Sequence, residues 1–274
     1  MAKEKIIIDT DIGSDVDDAL AIAYAVKSGL DIALITTVHG DTLRRARIAR
    51  KLTQLLGVDI PIAAGEPSPL VLKQIYWTGI EGQDFLTDDD LSLPIRTDGV
   101  AALTECIDRN RGNVTILSIG PPTNLAKVFQ QHPELSSSVN QIYMMGNAIC
   151  CDNRFHLNYR AHNFKVDPHA TDLVFQSGAP ITIVTTEVCK QNYFTREDFQ
   201  QMAKSGEPLL SYLDLAARQW LELSIHPVSY LYDPLVVQHV IDDRCTEKRQ
   251  YGSVRVTTQS NTDLKRIIEK RLMS

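Results

Sequence analysis

An acidic cluster follows a short apolar run near the start of the sequence. Residues 6–8 are isoleucines, and five aspartates follow without any lysine or arginine among them: Asp9, Asp11, Asp15, Asp17 and Asp18. Carboxylates this close repel one another, and burying any of them is costly. A multivalent cation is the simplest way to hold them together. Ligands that are all oxygen favour a hard metal, Ca²⁺ or Mg²⁺, over zinc.

A simpler interpretation of one of these aspartates is a helix cap. Asp17 precedes an apolar, helix-forming stretch, and aspartate is a common residue at a helix N-terminus. Capping would explain one aspartate and leave the other four unexplained. The metal interpretation is therefore preferred.

Polar residues also follow several of the later apolar runs. His39-Gly40-Asp41 follows residues 32–38, and Asn124 lies shortly after residues 114–119. Ligands of open parallel sheets bind beyond the carboxyl ends of the strands, so these side chains and the aspartates are expected to share one edge. Two alternatives stay open, because 39–41 could be a solvated turn and Asn124 could simply begin a helix.

Strand and helix patterns alternate along the chain. This rhythm predicts an open, mostly parallel central sheet with helices on both faces, in one domain over residues 1–274. The predicted strands are 6–8, 32–38, 59–63, 114–119, 141–145, 181–184 and 253–258. The predicted helices are 17–28, 43–56, 99–109, 123–130, 168–177, 196–204, 208–223, 233–241 and 262–272. In helix 43–56 the arginines Arg44, Arg45, Arg47 and Arg50 are expected on the solvent side.

Bulk composition narrows the function classes. A net charge of −6 over 274 residues argues against a nucleic-acid partner. No apolar run approaches the roughly 20 residues that span a bilayer, and the N-terminus lacks a secretory apolar core. The lack of such a run predicts no membrane partner. The five cysteines show no metal-ligand spacing, which favours a reducing, cytoplasmic setting.

Several motifs, taken in order, resemble the inosine-uridine-preferring nucleoside hydrolase family. They extend from residue 6 to about residue 240, which is most of the chain. The matching segments are Asp9-Thr10-Asp11-Ile12-Gly13 with Asp17-Asp18-Ala19-Leu20, Val38-His39-Gly40-Asp41, Gly120-Pro121-Pro122-Thr123-Asn124-Leu125-Ala126, Met144-Met145-Gly146, His162-Asn163-Phe164-Lys165-Val166-Asp167-Pro168 and Tyr232-Asp233-Pro234-Leu235.

The resemblance implies a nucleoside hydrolase fold with a Rossmann-like core and one bound Ca²⁺. It implies hydrolysis of the N-glycosidic bond of ribonucleosides to ribose and free base, in purine or pyrimidine salvage, by a homodimer or homotetramer. The implied metal ligands are Asp11, Asp18, Asp233 and the backbone carbonyl of Ile119. The implied sugar contacts are Asp17, Asp41, Asn158, Asn163 and Asp233, and the implied catalytic residues are Asp11 and Tyr232.

The implied chemistry is physically coherent. Cleavage of an N-glycosidic bond develops positive charge on the sugar, as in O-glycoside hydrolysis. A ring of aspartates stabilises that charge better than it stabilises the neutral ground state. Asp11 would then take the proton of the attacking water.

Three departures from the family pattern concern substrate recognition. Two extra residues separate Gly13 from the Asp17-Asp18 pair, which makes Asp15 a rival to Asp17. Ala161 stands where the family has a glutamate that binds the 5′-hydroxyl group. Tyr232 stands where well-known members have a histidine proposed as the leaving-group acid. The metal and diol machinery is therefore expected to be intact, while recognition of the 5′ end and of the nucleobase is left open.

Two other functions compete with nucleoside hydrolysis. The first is a haloacid-dehalogenase-type, Mg²⁺-dependent phosphatase with Asp9 as nucleophile and Ser118 at a later strand end, but no well-placed lysine follows Ser118. The second is a calcium-dependent ribose or nucleoside binder without efficient catalysis. Ala161 and Tyr232 motivate this second alternative.

Overall fold

The computed structural model describes residues 3–72, 74–151 and 154–274. Its main element is an eight-stranded sheet formed by β1 (Lys5–Thr10), β2 (Asp31–Thr37), β3 (Ile62–Ala64), β4 (Val114–Ser118), β5 (Gln141–Gly146), β8 (Ile181–Thr185), β11 (Thr246–Tyr251) and β12 (Val254–Ser260). The strand order is β11-β12-β8-β5-β4-β1-β2-β3, and only the β11–β12 pair is antiparallel. The expected open, mostly parallel sheet is confirmed.

Two short antiparallel pairs lie outside the main sheet. They are β6 (Ala148–Cys151) with β7 (Arg154–Leu157), and β9 (Tyr193–Phe194) with β10 (Ser229–Tyr230). Neither pair was predicted from the sequence, because strands of two to four residues carry too little periodicity to be recognised.

Twelve α-helices connect and cover the strands among the described residues. They are α1 (Asp17–Lys27), α2 (Thr42–Leu55), α3 (Asp88–Ser92), α4 (Gly99–Arg109), α5 (Thr123–Gln131), α6 (His162–Val166), α7 (Pro168–Gln176), α8 (Thr186–Cys189), α9 (Arg196–Ala203), α10 (Pro208–Leu223), α11 (Tyr232–Ile241) and α12 (Leu264–Leu272). Within the described residues, no helix combines the length and the apolar character needed to cross a bilayer.

Strand β1 lies inside the sheet and is buried on both faces. Ile6 and Ile8 pack into one apolar core and Ile7 packs into the other, as the alternation of side chains along a strand requires. Both cores are covered by helices, which explains why the run of isoleucines is continuous rather than alternating with polar residues. The aspartates that follow therefore begin at the end of a rigid, buried strand.

The third strand begins later in the chain than the sequence predicted. The sequence predicted residues 59–63, whereas β3 runs from Ile62 to Ala64. Pro61 falls inside the predicted range, and its nitrogen has no hydrogen to donate to a strand ladder. The strand therefore begins after it, although the Pro61 carbonyl still accepts a hydrogen bond from Ile35 N at 2.9 Å.

Candidate active site

A cavity of about 510 Å³ opens beyond the carboxyl ends of β1 and β4. Five carboxylates form its floor: Asp11, Asp15, Asp17, Asp18 and Asp233. The walls also carry Ile119 and Asn163, together with aromatic and basic side chains from loops. The strand-end location agrees with the general rule for ligand sites in parallel sheets.

Three of the floor carboxylates lie within reach of one metal ion. Single carboxylate oxygens of Asp17, Asp18 and Asp233 all lie within 4.8 Å of one another. Asp17 and Asp18 occupy the first turn of α1, and Asp233 occupies the first turn of α11. Thr10 Oγ1 donates a hydrogen bond to Asp18 Oδ1. Two packed helices and the end of β1 thus assemble the cluster.

The electrostatics of this cluster favour a bound cation. Burial raises the pKa of Asp17, Asp18 and Asp233 well above the usual range of a carboxyl group, and repulsion among the floor carboxylates raises it further. Arg45 lowers the pKa of Asp18, but it does not cancel the other effects. An all-oxygen set of buried, mutually repelling carboxylates fits a hard divalent cation.

The three-carboxylate group differs from the ligand set that the sequence predicted. Asp17, predicted to contact the sugar, takes the place of Asp11 in the group, while Asp18 and Asp233 belong to both sets. Asp11 lies on the same cavity with its carboxylate partly exposed, and its Oδ2 is 3.9 Å from His162 Nε2. The difference arises because α1 begins at Asp17, which places the carboxylates of residues 17 and 18 together on its first turn.

Asp15 is partly buried beside this group. Its Oδ1 accepts a hydrogen bond from Val16 N at 2.6 Å. Burial, and to a lesser extent the nearby Asp11, raise the pKa of Asp15 to about 7. Asp15 therefore remains a rival to Asp17, as its place in the sequence indicated, and it is also an alternative to Asp11 as the base.

Ile119 and Asn163 meet at the cavity wall. Asn163 Nδ2 donates a hydrogen bond of 2.7 Å to the carbonyl oxygen of Ile119. The next residue, Gly120, packs against β1 so closely that a Cβ atom there would lie 2.9 Å from Asp11 N. A glycine is therefore required where the ends of β1 and β4 converge.

Two predicted sugar contacts are not brought to the cavity. Asp41 is exposed and caps α2, where its side chain accepts a hydrogen bond from Arg44 N at 2.9 Å. Asn158 uses its Oδ1 to accept a hydrogen bond from Arg160 N at 3.1 Å. Neither residue lines the cavity, and their contact with the sugar stays a prediction. Local capping and turn hydrogen bonds occupy these side chains instead.

Tyr232 lines the cavity beside Asp17 and Asp15. Partial burial raises the pKa of its hydroxyl group far above the usual value of a tyrosine, and the negative charges of these two aspartates raise it further. The hydroxyl group therefore keeps its proton at neutral pH. It can donate a hydrogen bond to a leaving base, but it is a weaker acid than a free tyrosine.

The prediction that Arg45 faces solvent was wrong. Its side chain is 1% exposed, and its guanidinium donates to the carbonyls of Asp11, Ile12 (2.8 Å) and His39 (2.7 Å). The Trp77 ring covers it, with 5.0 Å between the guanidinium carbon and the ring centroid. Arg45 thus holds the backbone of the acidic loop in place.

The loop of residues 76–81, which we call the roof of the cavity, was not predicted from the sequence. Tyr76 N donates to His39 Nε2 at 2.9 Å, and the Tyr76 ring packs edge-on against His162 at 5.5 Å. Burial lowers the pKa of His39 to about 4, so its ring is neutral and can accept this hydrogen bond. The fully buried Glu81 accepts hydrogen bonds from Ser14 Oγ at 2.8 Å and from the roof backbone.

Trp220 and His226 also line the cavity, and the sequence did not predict them as site residues. Their chain segment returns to the site through α10 and the loop that follows it. No motif in the sequence marks them, because their place in the cavity depends on how this segment packs.

Asp9 holds neighbouring side chains in place and does not line the cavity. It is fully buried and absent from the cavity lining, and its Oδ1 accepts hydrogen bonds from Thr36 Oγ1 at 2.6 Å and Asn124 Nδ2 at 2.7 Å. The phosphatase alternative required Asp9 as an accessible nucleophile. Its burial argues against that alternative, and Asn124 emerges as a residue that ties neighbouring strand ends together.

Known proteins resemble this chain along most of its length. The family model described as "Inosine-uridine preferring nucleoside hydrolase" matches residues 6–271. A probable uridine nucleosidase 2 of Arabidopsis thaliana is 32% identical over 249 residues, covering 86% of this chain and 76% of that protein. The pyrimidine-specific ribonucleoside hydrolase RihA of Escherichia coli is 33% identical over 214 residues, covering 74% of this chain and 67% of that protein.

Solved structures share the fold. A plant nucleoside hydrolase, PpNRh1, superimposes with a TM-score of 0.82 at 24% identity, with 100% of both chains covered. A purine-preferring ribonucleoside hydrolase from Gardnerella vaginalis superimposes with a TM-score of 0.81 at 21% identity, with 98% of both chains covered. At these identities the likeness shows the architecture alone.

Proposed function

Because the chain belongs to the inosine-uridine preferring nucleoside hydrolase family of N-glycosyl hydrolases, we propose that it hydrolyses ribonucleosides to ribose and free base with a bound Ca²⁺. The observation that carries this proposal is the group formed by Asp17, Asp18 and Asp233, three buried carboxylates with oxygens within 4.8 Å of one another. Ionised carboxylates this close repel one another, and a bound divalent cation relieves that repulsion.

Asp18 and Asp233 belong both to the predicted ligand set and to the group of three close carboxylates, which supports assigning them as metal ligands. Three carboxylates leave several of the six to eight oxygen positions of calcium open, and the Ile119 carbonyl is the predicted backbone ligand. The ion would supply a positive charge that orients the ribose diol and lowers the pKa of a nearby water. Asp17 and Asp11 compete for the third carboxylate position.

The protein's own residues account for the rest of the reaction. Asp11, with its partly exposed carboxylate on the cavity floor, takes a proton from the attacking water. Asn163, held at the Ile119 carbonyl, presents its remaining polar atom to the sugar. The negative floor stabilises the positive charge that develops on the ribose as the bond to the base breaks.

The residue available to protonate the leaving base, Tyr232, is a poor acid. Tyr232 is a hydrogen-bond donor whose proton is hard to remove, because burial and the adjacent aspartates raise its pKa. Bases that leave readily therefore need little help, and bases that require full protonation leave slowly. This feature, together with the methyl side chain of Ala161, favours the second candidate function, a calcium-dependent ribose or nucleoside binder.

A reducing-sugar assay separates the two functions. Uridine comes first, because the curated relatives are named for uridine and pyrimidine ribonucleosides, and cytidine, inosine and adenosine follow. We expect ribose release that EDTA abolishes and Ca²⁺ restores. Asp18→Ala should lose activity and bound ion together, whereas Asp59→Ala, a 96% exposed carboxylate, should lose neither. Calcium-dependent ribose binding with no turnover would favour the binder instead.

We also propose that the chain forms one domain and assembles as a homodimer or homotetramer. One family model matches residues 6–271 continuously, which supports the single domain. Light scattering coupled to gel filtration measures the oligomer, and a monomeric mass would contradict this assignment.

A further inference from the structure

The cavity carries charges of opposite sign in different places. Its floor is acidic, whereas Arg160 and Lys190 add two exposed cationic side chains to its lining. Within residues 3–72, 74–151 and 154–274, neither cation has a carboxylate oxygen within 4.0 Å. Lys190 Nζ lies 5.7 Å from the centroid of the Tyr230 ring, a contact that leaves the ammonium charge uncompensated by a carboxylate.

The two cations belong to segments that are tied together. Asn158 N donates to the Asn147 carbonyl at 2.9 Å, and Asn147 Nδ2 donates to Glu187 Oε1 at 2.9 Å. Asn147 therefore joins the loop that carries Arg160 to the short helix α8, which Lys190 follows directly. Arg160 and Lys190 both line the cavity, and we call the part of the lining that they form the basic wall.

Among the residues that the structure describes, no carboxylate of the segments carrying Arg160 and Lys190 lines the basic wall. Glu187 has one carboxylate oxygen on Asn147 and the other 3.1 Å from Thr186 Oγ1, and it does not line the cavity. Ala161, next to Arg160, is 3% exposed and contributes only a methyl group. A neutral hydroxyl group would find no carboxylate to accept its proton here, whereas an anion would find guanidinium and ammonium donors.

The 5′ position is the part of the substrate that can carry the anion. In the proposed function, the 2′- and 3′-hydroxyl groups face the acidic floor and the base leaves from C1′. Only the 5′-oxygen of a ribonucleoside remains free to bear a substituent. A phosphoryl group suits the basic wall, because arginine donates to phosphate oxygens in a bidentate geometry and lysine adds a point charge.

We propose that the preferred substrates are ribonucleoside 5′-phosphates, with the phosphoryl group held by Arg160 and Lys190, an inference that rests on the proposed function. The oxygen of water bonds to C1′, the C1′–N bond breaks, and the base nitrogen takes up a proton. The products are ribose 5-phosphate and free base, and the phosphoester bond stays intact.

Paired substrates test this preference. Base release from uridine 5′-monophosphate and from uridine is measured for the wild type, Arg160→Ala, Lys190→Ala and the control Arg196→Ala, an exposed arginine outside the cavity. We expect the ratio of kcat/KM for the phosphate to that for uridine to fall about 10- to 100-fold in Arg160→Ala, the range of one charge-assisted hydrogen bond. Arg196→Ala should leave this ratio unchanged.

Three outcomes decide the matter. A ratio that is the same in Arg160→Ala and in the wild type overturns the proposal, and so does a wild type that cleaves uridine but not its 5′-phosphate. If neither substrate is cleaved, the proposed function fails, and calorimetry decides the inference separately. Ribose 5-phosphate should then bind the wild type more tightly than ribose does, with the difference lost in Arg160→Ala. Equal affinities for the two sugars would contradict it.

Discussion

The floor and the roof of the cavity are built in different ways. The floor group of Asp17, Asp18 and Asp233 is at most 5% exposed and lies on the first turns of two packed helices. The roof is a loop whose Trp77 remains 38% exposed and whose Tyr76 depends on a hydrogen bond to His39. The proposed function therefore assigns bond cleavage to residues of the rigid scaffold, and it leaves substrate choice to loops that can vary without disturbing that scaffold.

The largest effect should come from a change in the floor. Asp11→Asn should lower kcat for uridine by about 10²–10⁴-fold, because the amide cannot take the proton of the attacking water. Steady-state kinetics measure this loss, and equilibrium binding of ribose should change much less. Near-normal turnover in Asp11→Asn, with a large loss in Asp15→Asn, would transfer the role of base to Asp15.

The next effect concerns the connection between floor and roof. Arg45→Met removes hydrogen bonds to three backbone carbonyls and the cation beneath Trp77. We expect kcat/KM for uridine to fall about 10²-fold through misplacement of the acidic loop. The free energy of unfolding, measured in urea, should fall by about 1.5–3 kcal/mol or more, since 1.5–3 kcal/mol is the value of one hydrogen bond to a charged group.

Arg50→Met provides the control for Arg45. Arg50 lies on the same helix and pairs with the exposed Asp59 at 2.7 Å, and such surface pairs contribute about 0–1 kcal/mol. If Arg45→Met behaves like Arg50→Met in both assays, the floor does not depend on the guanidinium.

A smaller effect is expected at the leaving-group side. Tyr232→His should speed inosine hydrolysis about tenfold, because an imidazolium gives up its proton more readily than a tyrosine does. An activated substrate such as p-nitrophenyl riboside needs no leaving-group acid, so its rate should stay within about twofold. Parallel gains on both substrates would show that the substitution acts on something other than proton donation.

The smallest effect is on stability, and it separates the floor's function from its folding. Because the folded-state pKa of Asp233 is raised, its contribution to stability is complete below the unfolded pKa of about 3.9. That contribution is lost as the pH rises through the folded-state value. In EDTA, Asp233→Asn should therefore melt a few degrees above the wild type at pH 8, with a smaller gap at pH 5, since 1 kcal/mol shifts Tm by about 2–4 °C in chains of this size.

Differential scanning fluorimetry across pH measures this gap. Asp59→Asn, at an exposed position, should show no such pH-dependent gain. A lower Tm for Asp233→Asn in EDTA at pH 8 would mean that the unoccupied cluster does not strain the fold.

The sequence predicted the elements that local patterns encode. The helices Gly99–Arg109 and Pro208–Leu223 match their predicted bounds, and the buried strand before the aspartates was recognised from its isoleucines. The burial of Arg45 could also have been predicted, because Thr42, Ile48 and Ala49 lie three or four residues from it and share its buried face. The prediction placed all four arginines of this helix on its solvent side and therefore overlooked this buried face.

The roof and the exact carboxylate group could not be predicted in this way. Glu81 anchors the roof to Ser14 across 67 residues, and Asn124 reaches Asp9 across 115 residues. Such pairings depend on how the loops pack in three dimensions, and no local spacing encodes them. The same holds for Asp17 and Asp233, whose proximity depends on the packing of α1 against α11.

Titration of Ca²⁺ into EDTA-stripped protein, followed by calorimetry, tests the central claim that the acidic floor is a cation site. We predict one ion bound per chain in the wild type and in Asp59→Ala, and no binding in Asp18→Ala or in Asp233→Asn. Unchanged calcium binding in both floor variants, or no binding in the wild type, would contradict the account.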